Sequence, residues 1–239
     1  MQFEGTLLLR RSDIEGLLSP RDCMVAVENV FRLQGQGKIP APGMLGVKAP
    51  GGGMHVKAGL LPGDRNYLVA KLNANFPGNN AQFGMPTIQG VVVVFDAKNG
   101  FPLAILDSID ITLKRTAAAS AVAAKYLARK DSSVATICGC GQQSRAQLRA
   151  ALLVLPLTKI YAFDVDENAA INFRKELSPE LKLDIELVQD LPAQFRRAMF
   201  VSRARLRLNP SCTKKMSGPA LLSQQLAQML NTNRKSTRP

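Results

Sequence analysis

The sequence predicts an α/β protein: an N-terminal α+β portion, then a parallel-sheet unit that breaks off before it is complete. Three observations predict it. Residues 134–138, Val-Ala-Thr-Ile-Cys, form a short apolar, β-branched run of the kind that lies inside a parallel sheet. Gly139 and Gly141 follow at once, helical periodicity runs over 142–155 until Pro156, and a second apolar run at 160–163 ends on Asp164. Residues 1–109, by contrast, read as helices mixed with hairpin-linked strands.

Taken in order, residues 6–10 can be a strand. Ser12 with Glu15 makes a capping box for a short helix, and Ser19-Pro20 with Asp22 starts a second. That second helix runs to about Gln34, carries Met24, Val27, Val30 and Phe31 on its inner face, and stops at Gly35. Proline and glycine at 40–53 break the pattern. Strands follow at 54–58 and 67–74, then a hairpin of 91–95 and 102–106 turning on Lys98-Asn99-Gly100. Asp110 caps a long helix over 111–129, whose small-residue centre suits close packing. After Asp164 a helix at 167–177 and a strand at 184–188 continue the α/β alternation.

A strand, a glycine turn, a helix and a second strand ending in an acid make a βαβ unit that binds a dinucleotide. Glycines let the backbone approach a pyrophosphate, the helix start offers N–H groups to it, and the acid accepts from a ribose hydroxyl. The third glycine of the usual pattern is Ser144 here, and Asp164 lies 25 residues after Gly139 instead of about 20. The bland alternative is a tight strand-to-helix turn that binds nothing. Asp164 would repel a ribose 2′-phosphate, so NAD is favoured over NADP. This is the nucleotide half of a Rossmann fold.

Composition excludes several classes. No apolar run among the 239 residues approaches the roughly 18 of a membrane span, and the start lacks the basic and apolar regions of a signal peptide. Cys23, Cys138, Cys140 and Cys212 form no C-x-x-C pair, and with one histidine, His55, the sequence offers no zinc site. A reduced, cytoplasmic protein fits. The net charge of +13 is a property of the C-terminal stretch: residues 195–239 hold ten Lys/Arg and no acid, while 1–194 carry a net of only +3. With no aromatic there beyond Phe195 and Phe200 for stacking on bases, a solvated tail reads better than a nucleic-acid or lipid binder.

Four stretches carry a resemblance: Gly84-Met-Pro-Thr-Ile-Gln-Gly90, Phe95-Asp-Ala-Lys-Asn-Gly-Phe-Pro-Leu-Ala-Ile-Leu-Asp107, Ile111-Thr-Leu-Lys-Arg-Thr-Ala-Ala-Ala-Ser120 and Gly139-Cys-Gly-Gln-Gln143. In that order they resemble the ornithine cyclodeaminase/mu-crystallin family over about 20–194. The resemblance implies a substrate and dimerisation domain at 1–114, an NAD-binding Rossmann domain at 115–194, and a homodimer. Family members bind NAD(P) and act on small amino acids or cyclic imines, as ornithine cyclodeaminase, alanine dehydrogenase or ketimine reductase; mu-crystallin-like members imply a non-catalytic binder instead. By the same resemblance Lys71 meets the substrate and is the catalytic candidate, and Arg115 clamps the substrate carboxylate and the cofactor. An ammonium can hold a carboxylate or donate a proton near an imine, and a planar guanidinium fork suits both of its roles. Thr87, Gln142, Gln143 and Asp164 match positions lining the dinucleotide, beside Gly139 and Gly141. Where many members place an arginine after Pro-Ala, this sequence has Pro40-Ala41-Pro42, which counts against ornithine itself as the substrate.

The family's Val-Thr-x-Thr-Pro-Ser and Val-Gly-Ala-Asp motifs, the latter holding a catalytic aspartate, do not occur. Codons can be chosen for 198–237 so that the frame one base earlier spells both at proper spacing. Residues 195–239 are therefore expected to be an out-of-frame, disordered tail, with impaired catalysis as its consequence; a divergent basic tail is the alternative.

Overall fold

The computed structural model describes residues 5–189 and the backbone of 200–203. The chain divides into two compact units, Met1–Lys114 and Arg115–Pro239.

The first unit is built on a six-stranded sheet. Its strands are β1 (Leu7–Leu9), β2 (Gly43–Ala49), β3 (Gly52–Leu61), β4 (Tyr67–Asn75), β5 (Ile88–Asp96) and β6 (Pro102–Asp107), in the order β1-β6-β5-β4-β3-β2. β1 runs parallel to β6; the other pairs are antiparallel. The stretch 40–53, expected to break the pattern, instead holds β2 and the turn into β3. Pro50-Gly51 makes a tight connection after β2, and Pro40 and Pro42 stand before the strand, where no ladder N–H is lost.

Helix α1 (Arg11–Glu15) starts before Ser12, so the expected Ser12–Glu15 box does not form. The backbone N–H of Arg10 donates to Asp13 Oδ2 at 2.8 Å instead. Helix α2 (Pro20–Gly35) is capped as expected, with Ser19 Oγ accepting from the Asp22 N–H at 3.1 Å. Its buried residue is Cys23, while Phe31 is exposed, because a surface helix covers only a stripe of its circumference. A short helix, α3 (Asn79–Phe83), was not expected. Helix α4 (Ile109–Leu127) begins two residues early, with Asp107 Oδ1 accepting from the Ile109 N–H at 2.8 Å; Asp110 lies inside the first turn and pairs with Lys114 at 2.8 Å.

Register gives this sheet two unlike faces. His55, Asn73 and Gly90 line up across β3, β4 and β5, as do Lys57, Lys71 and Val92, so this face is polar. Leu45, Val56, Leu72 and Val91 line up on the other face, with Leu60 opposite Leu68. That face is apolar and open: Leu45, Leu60, Leu68 and Val91 are all exposed.

The second unit has a four-stranded parallel sheet of β7 (Val134–Cys138), β8 (Lys159–Phe163), β9 (Asp184–Leu187) and β10 (Phe200–Arg203), in the order β10-β7-β8-β9. Helices α5 (Gln142–Ala151) and α6 (Glu167–Leu181) provide the crossovers. α6 extends past the expected end at 177, through Pro179, to Lys182 in the left-handed region. The core gathers Ile137, Leu148, Leu155, Ile160, Phe173 and Leu177, all buried, each contributing roughly 1.5–3 kcal/mol on leaving water. Strand β10 lies in the stretch expected to be a tail, and its backbone pairs with β7, so the sheet takes in residues beyond 195. The rest of the expected tail, 195–199 and 204–239, lies outside the described residues. Among the described residues no helix is long and apolar enough to cross a membrane.

Candidate functional site

In the second unit, the site grows out of the end of β7. Gly139 adopts φ +91°, a left-handed conformation in which a side chain would be strained, and its N–H donates to Phe163 O at 2.7 Å. The chain is thereby bent back over the end of β8. Cys140 comes next, and both ends of its backbone are held: its N–H donates to Asp164 Oδ2 at 2.6 Å, and its carbonyl accepts from Arg145 Nη1. Gly141 then starts α5, which has no side-chain cap, and a Cβ placed on Gly141 would meet no protein atom within 4 Å. A helix start without a cap, opening onto space beside a glycine, is the shape that admits a phosphate group. Gln142 is exposed and Gln143 half-buried on that first turn. Ser144, at the third-glycine position, is fully buried, so its small side chain serves the close packing that the glycine usually provides.

Asp164 is where the sequence placed it, at the end of β8 and against the glycine turn. Its Oδ1 accepts from the Asp166 N–H at 3.1 Å. An ionised carboxylate has about four lone-pair directions, so with one taken on each oxygen it can still accept from a ribose hydroxyl. The Cys140 thiol is pushed up to about 12, first by burial and then by the charge of Asp164, and donates to Phe163 O at 3.6 Å. It is a protonated structural group, not a nucleophile.

Arg145 was missed by sequence reasoning. Only 10% of its side chain is exposed; its Nε donates to Glu176 Oε2 at 2.8 Å and its guanidinium lies 5.4 Å from the centre of the Phe173 ring. It thus connects the glycine turn to α6. The signal was weak: a polar residue on the inner face of a short helix, in a pattern that otherwise reads as apolar.

In the first unit, Lys71 sits at the middle of β4, and its Nζ donates to Thr112 Oγ1, on the first turn of α4, at 3.4 Å. Asn73, two residues on and on the same face, donates from Nδ2 to the same oxygen at 3.3 Å and accepts at Oδ1 from Ser108 Oγ at 2.9 Å. Asn73 and Ser108 are buried and were not singled out in the sequence. Thr87 precedes β5, and its carbonyl accepts from the Phe76 N–H at 2.9 Å, near the far end of β4 from Tyr67. Arg115 follows Thr112 by three residues along α4 and is the first residue of the second unit. It is open to solvent, yet desolvation by surrounding protein lowers its pKa, and it remains charged at any ordinary pH. The structure therefore brings Gly139, Gly141, Gln142, Gln143 and Asp164 together in one unit. It puts Lys71 in a hydrogen-bonded cluster, with Thr87 in the same sheet region, in the other.

A parallel sheet whose glycine turn is tied to the acid at the end of the next strand is a Rossmann-type arrangement, here with an α+β unit ahead of it in the sequence. The chain belongs to the ornithine cyclodeaminase/mu-crystallin family, whose model matches residues 4–201. It is 38% identical over 168 residues to an alanine dehydrogenase of Archaeoglobus fulgidus, covering 70% of this chain and 51% of that protein. Among solved structures it resembles the Thermococcus litoralis Δ1-pyrroline-2-carboxylate reductase in complex with NADH and L-proline. There the TM-score is 0.76 at 34% identity, over 83% of this chain and 61% of that one. It also resembles an archaeal alanine dehydrogenase dimer with bound NAD, with a TM-score of 0.74 at 34% identity, over 79% of this chain and 57% of the other. The chain spans about half the length of the curated relatives it matches.

Proposed function

We propose that this chain carries the NAD-binding and substrate-holding parts of an NAD-dependent enzyme that acts on a small amino acid or its imine. One observation carries the reading: the Gly139–Gly141 turn is held to Asp164 through the Cys140 N–H, beside an uncapped helix start with open space. These residues fit a nicotinamide dinucleotide. The α5 N-terminus would face its pyrophosphate and Asp164 a ribose hydroxyl, with Gln142 and Gln143 along its edge. Asp166 is a second carboxylate in the same turn, capping α6 through the Asn168 and Ala169 N–H groups, which further disfavours a 2′-phosphate.

When bound, the dinucleotide supplies a hydride acceptor or donor at carbon. The chain's own residues hold the substrate for that step. Lys71 holds the substrate carboxylate, or donates a proton beside the carbon–nitrogen double bond, from a position set by Thr112. Arg115 adds a planar, permanently charged fork for the carboxylate and the cofactor. Dehydrogenation of an amine and reduction of an imine are the two directions of that hydride step; a cyclodeaminase adds ring closure between them.

The exposed apolar face of the first sheet supports a homodimer. A mostly antiparallel sheet with one face carrying His55, Lys57, Lys71 and Asn73 and one open face of Leu45, Leu60, Leu68 and Val91 resembles half of an interface. The test is a thermal scan and fluorescence titration with NADH, repeated with Asp164→Ala, followed by NADH consumption with five- and six-membered cyclic imino acids and with pyruvate plus ammonia. Binding weakened in the variant, with slow, impaired turnover on one substrate, is expected, since the family's catalytic aspartate motif does not occur in the sequence. Binding without turnover on any of them would favour the non-catalytic reading, and no NADH-dependent stabilisation would refute both.

A further inference from the structure

Lysine is a poor positioning device by itself. A strand fixes its Cα, but four rotatable carbons separate that point from the ammonium. For Lys71 the ammonium is anchored on Thr112 Oγ1. The place of that oxygen depends on the threonine's Cα–Cβ rotamer, and the Asn73 amide, donating to the same oxygen, favours the rotamer that faces β4.

We infer that Asn73 is a positioning residue, setting the Lys71 ammonium through the Thr112 hydroxyl that the two side chains share. The inference rests on the reading of Lys71 as the lysine that meets the substrate. The chain of contacts can be followed back to rigid backbone. Ser108 is pinned from two sides: its N–H donates to Gly90 O at 3.0 Å, and its carbonyl accepts from the Thr112 N–H at 2.8 Å. Ser108 Oγ fixes Asn73 Oδ1 at 2.9 Å, which leaves Asn73 Nδ2 directed at Thr112 Oγ1. Every group in the chain before Lys71 is buried or half-buried, so water competes weakly for these bonds.

Gly90 makes the arrangement possible. It is the cross-strand partner of Asn73, and a Cβ on it would stand 2.8 Å from Asn73 Oδ1 and 2.0 Å from Leu72 O. The missing side chain leaves the groove in which the Asn73 amide crosses β5 to reach Ser108. Asparagine is depleted in strands and costly when buried unless bonded, so a mid-strand asparagine bonded at both ends of its amide needs a reason beyond strand formation. A structural reason exists, since Asn73 also fastens β4 to the first turn of α4. The experiment has to separate that fastening from control of Lys71.

The variants are Asn73→Ala, Thr112→Val and the double variant, in the full chain. Thr112→Val removes the oxygen that Lys71 itself meets and leaves the Asn73–Ser108 bond in place, so it sets the size of the effect that a lost relay can have; Asn73→Ser, too short to reach Thr112, replaces Asn73→Ala if that variant folds poorly. Two readouts are taken beside the melting temperature. The first is the side-chain ammonium signal of Lys71 in protein labelled with 15N-lysine, assigned by its loss in Lys71→Met. The second is KM against kcat for the imino acid that the wild type consumes. Both single variants are expected to shift the Lys71 signal and to raise KM about tenfold. The double variant is expected to be no worse than Thr112→Val alone, the non-additivity of two groups acting through one contact. A lowered melting temperature with an unmoved Lys71 signal and unchanged KM overturns the inference, as do single effects that simply multiply. If the wild type consumes no imine, the functional reading falls by itself. The Lys71 signal then decides on Asn73: a shift in both single variants supports the relay, and an unmoved signal overturns it.

Discussion

Replacing Arg145 with alanine should loosen the glycine turn more than it loosens the fold. Three contacts go: the bond to Cys140 O, the ion pair to Glu176, and the stacking on Phe173. Breaking a fully buried pair costs about 3–5 kcal/mol, because the remaining charge is stranded. Glu176 is not stranded. Its side chain is 46% exposed and keeps Arg149 at 3.1 Å, so most of that penalty disappears. What is left is one charge-assisted bond to a carbonyl, about 1.5–3 kcal/mol, and a cation–π contact of about 1 kcal/mol. A total of roughly 2.5–4 kcal/mol corresponds to a fall in melting temperature of about 5–15 °C. The functional effect follows from the released Cys140 carbonyl, which sits in the turn that would receive the pyrophosphate. Misplacing one N–H donor to a phosphate should weaken NADH binding by about tenfold or more. Arg149→Ala is the control: it removes exposed pairs to Glu176 and Glu180, worth little each, and touches nothing in the turn. NADH fluorescence titrations and melting curves on both variants decide the matter. If Arg145→Ala binds NADH within twofold of wild type while melting lower, the arginine only staples α5 to α6 and the account of the turn is wrong.

Three further outcomes are expected. Asp164→Ser should narrow the preference for NADH over NADPH by at least about tenfold, roughly 1.4 kcal/mol, read as the ratio of the two dissociation constants; an unchanged ratio would mean the acid does not face the ribose. The raised thiol of Cys140 makes the fold alkali-sensitive. Its proton is retained in the native state up to about 12 but leaves the unfolded chain near 8.5, so this contribution is complete below about 8.5 and declines as the pH climbs towards 12. Urea midpoints at pH 7 and pH 10 should show that decline, and Cys140→Ala should flatten it. Finally, Leu45→Glu on the open sheet face should convert a dimer into monomers in sedimentation velocity, whereas Lys57→Glu on the polar face should not.

The nucleotide unit was legible because its signals are local. An apolar run, two glycines and an acid at the end of the next run fall in order along the chain, and the backbone closes them into one site without help from elsewhere. The 40–53 stretch was misread for the opposite reason: β2 is an edge strand, exposed along its length, so no buried face imposes alternation on its sequence. Arg145 and Asn73 were invisible for a third reason. Each matters through a partner distant in sequence, Glu176 for the first and Ser108 and Thr112 for the second, and a single polar letter in a helix or strand does not name its partner. The α1 start was lost to simple competition, with Asp13 reaching back to Arg10 before Ser12 could serve as the cap.

The position of β10 has a consequence during synthesis. β7 carries the glycine turn, and one of its two neighbours, β8, emerges from the ribosome soon after it; the other, β10, emerges only once residue 203 has been made. Until then one side of β7 presents a row of unpaired backbone donors and acceptors. At about 5–20 residues per second the nascent chain carries that open edge for several seconds, long enough for a chaperone or another nascent chain to find it.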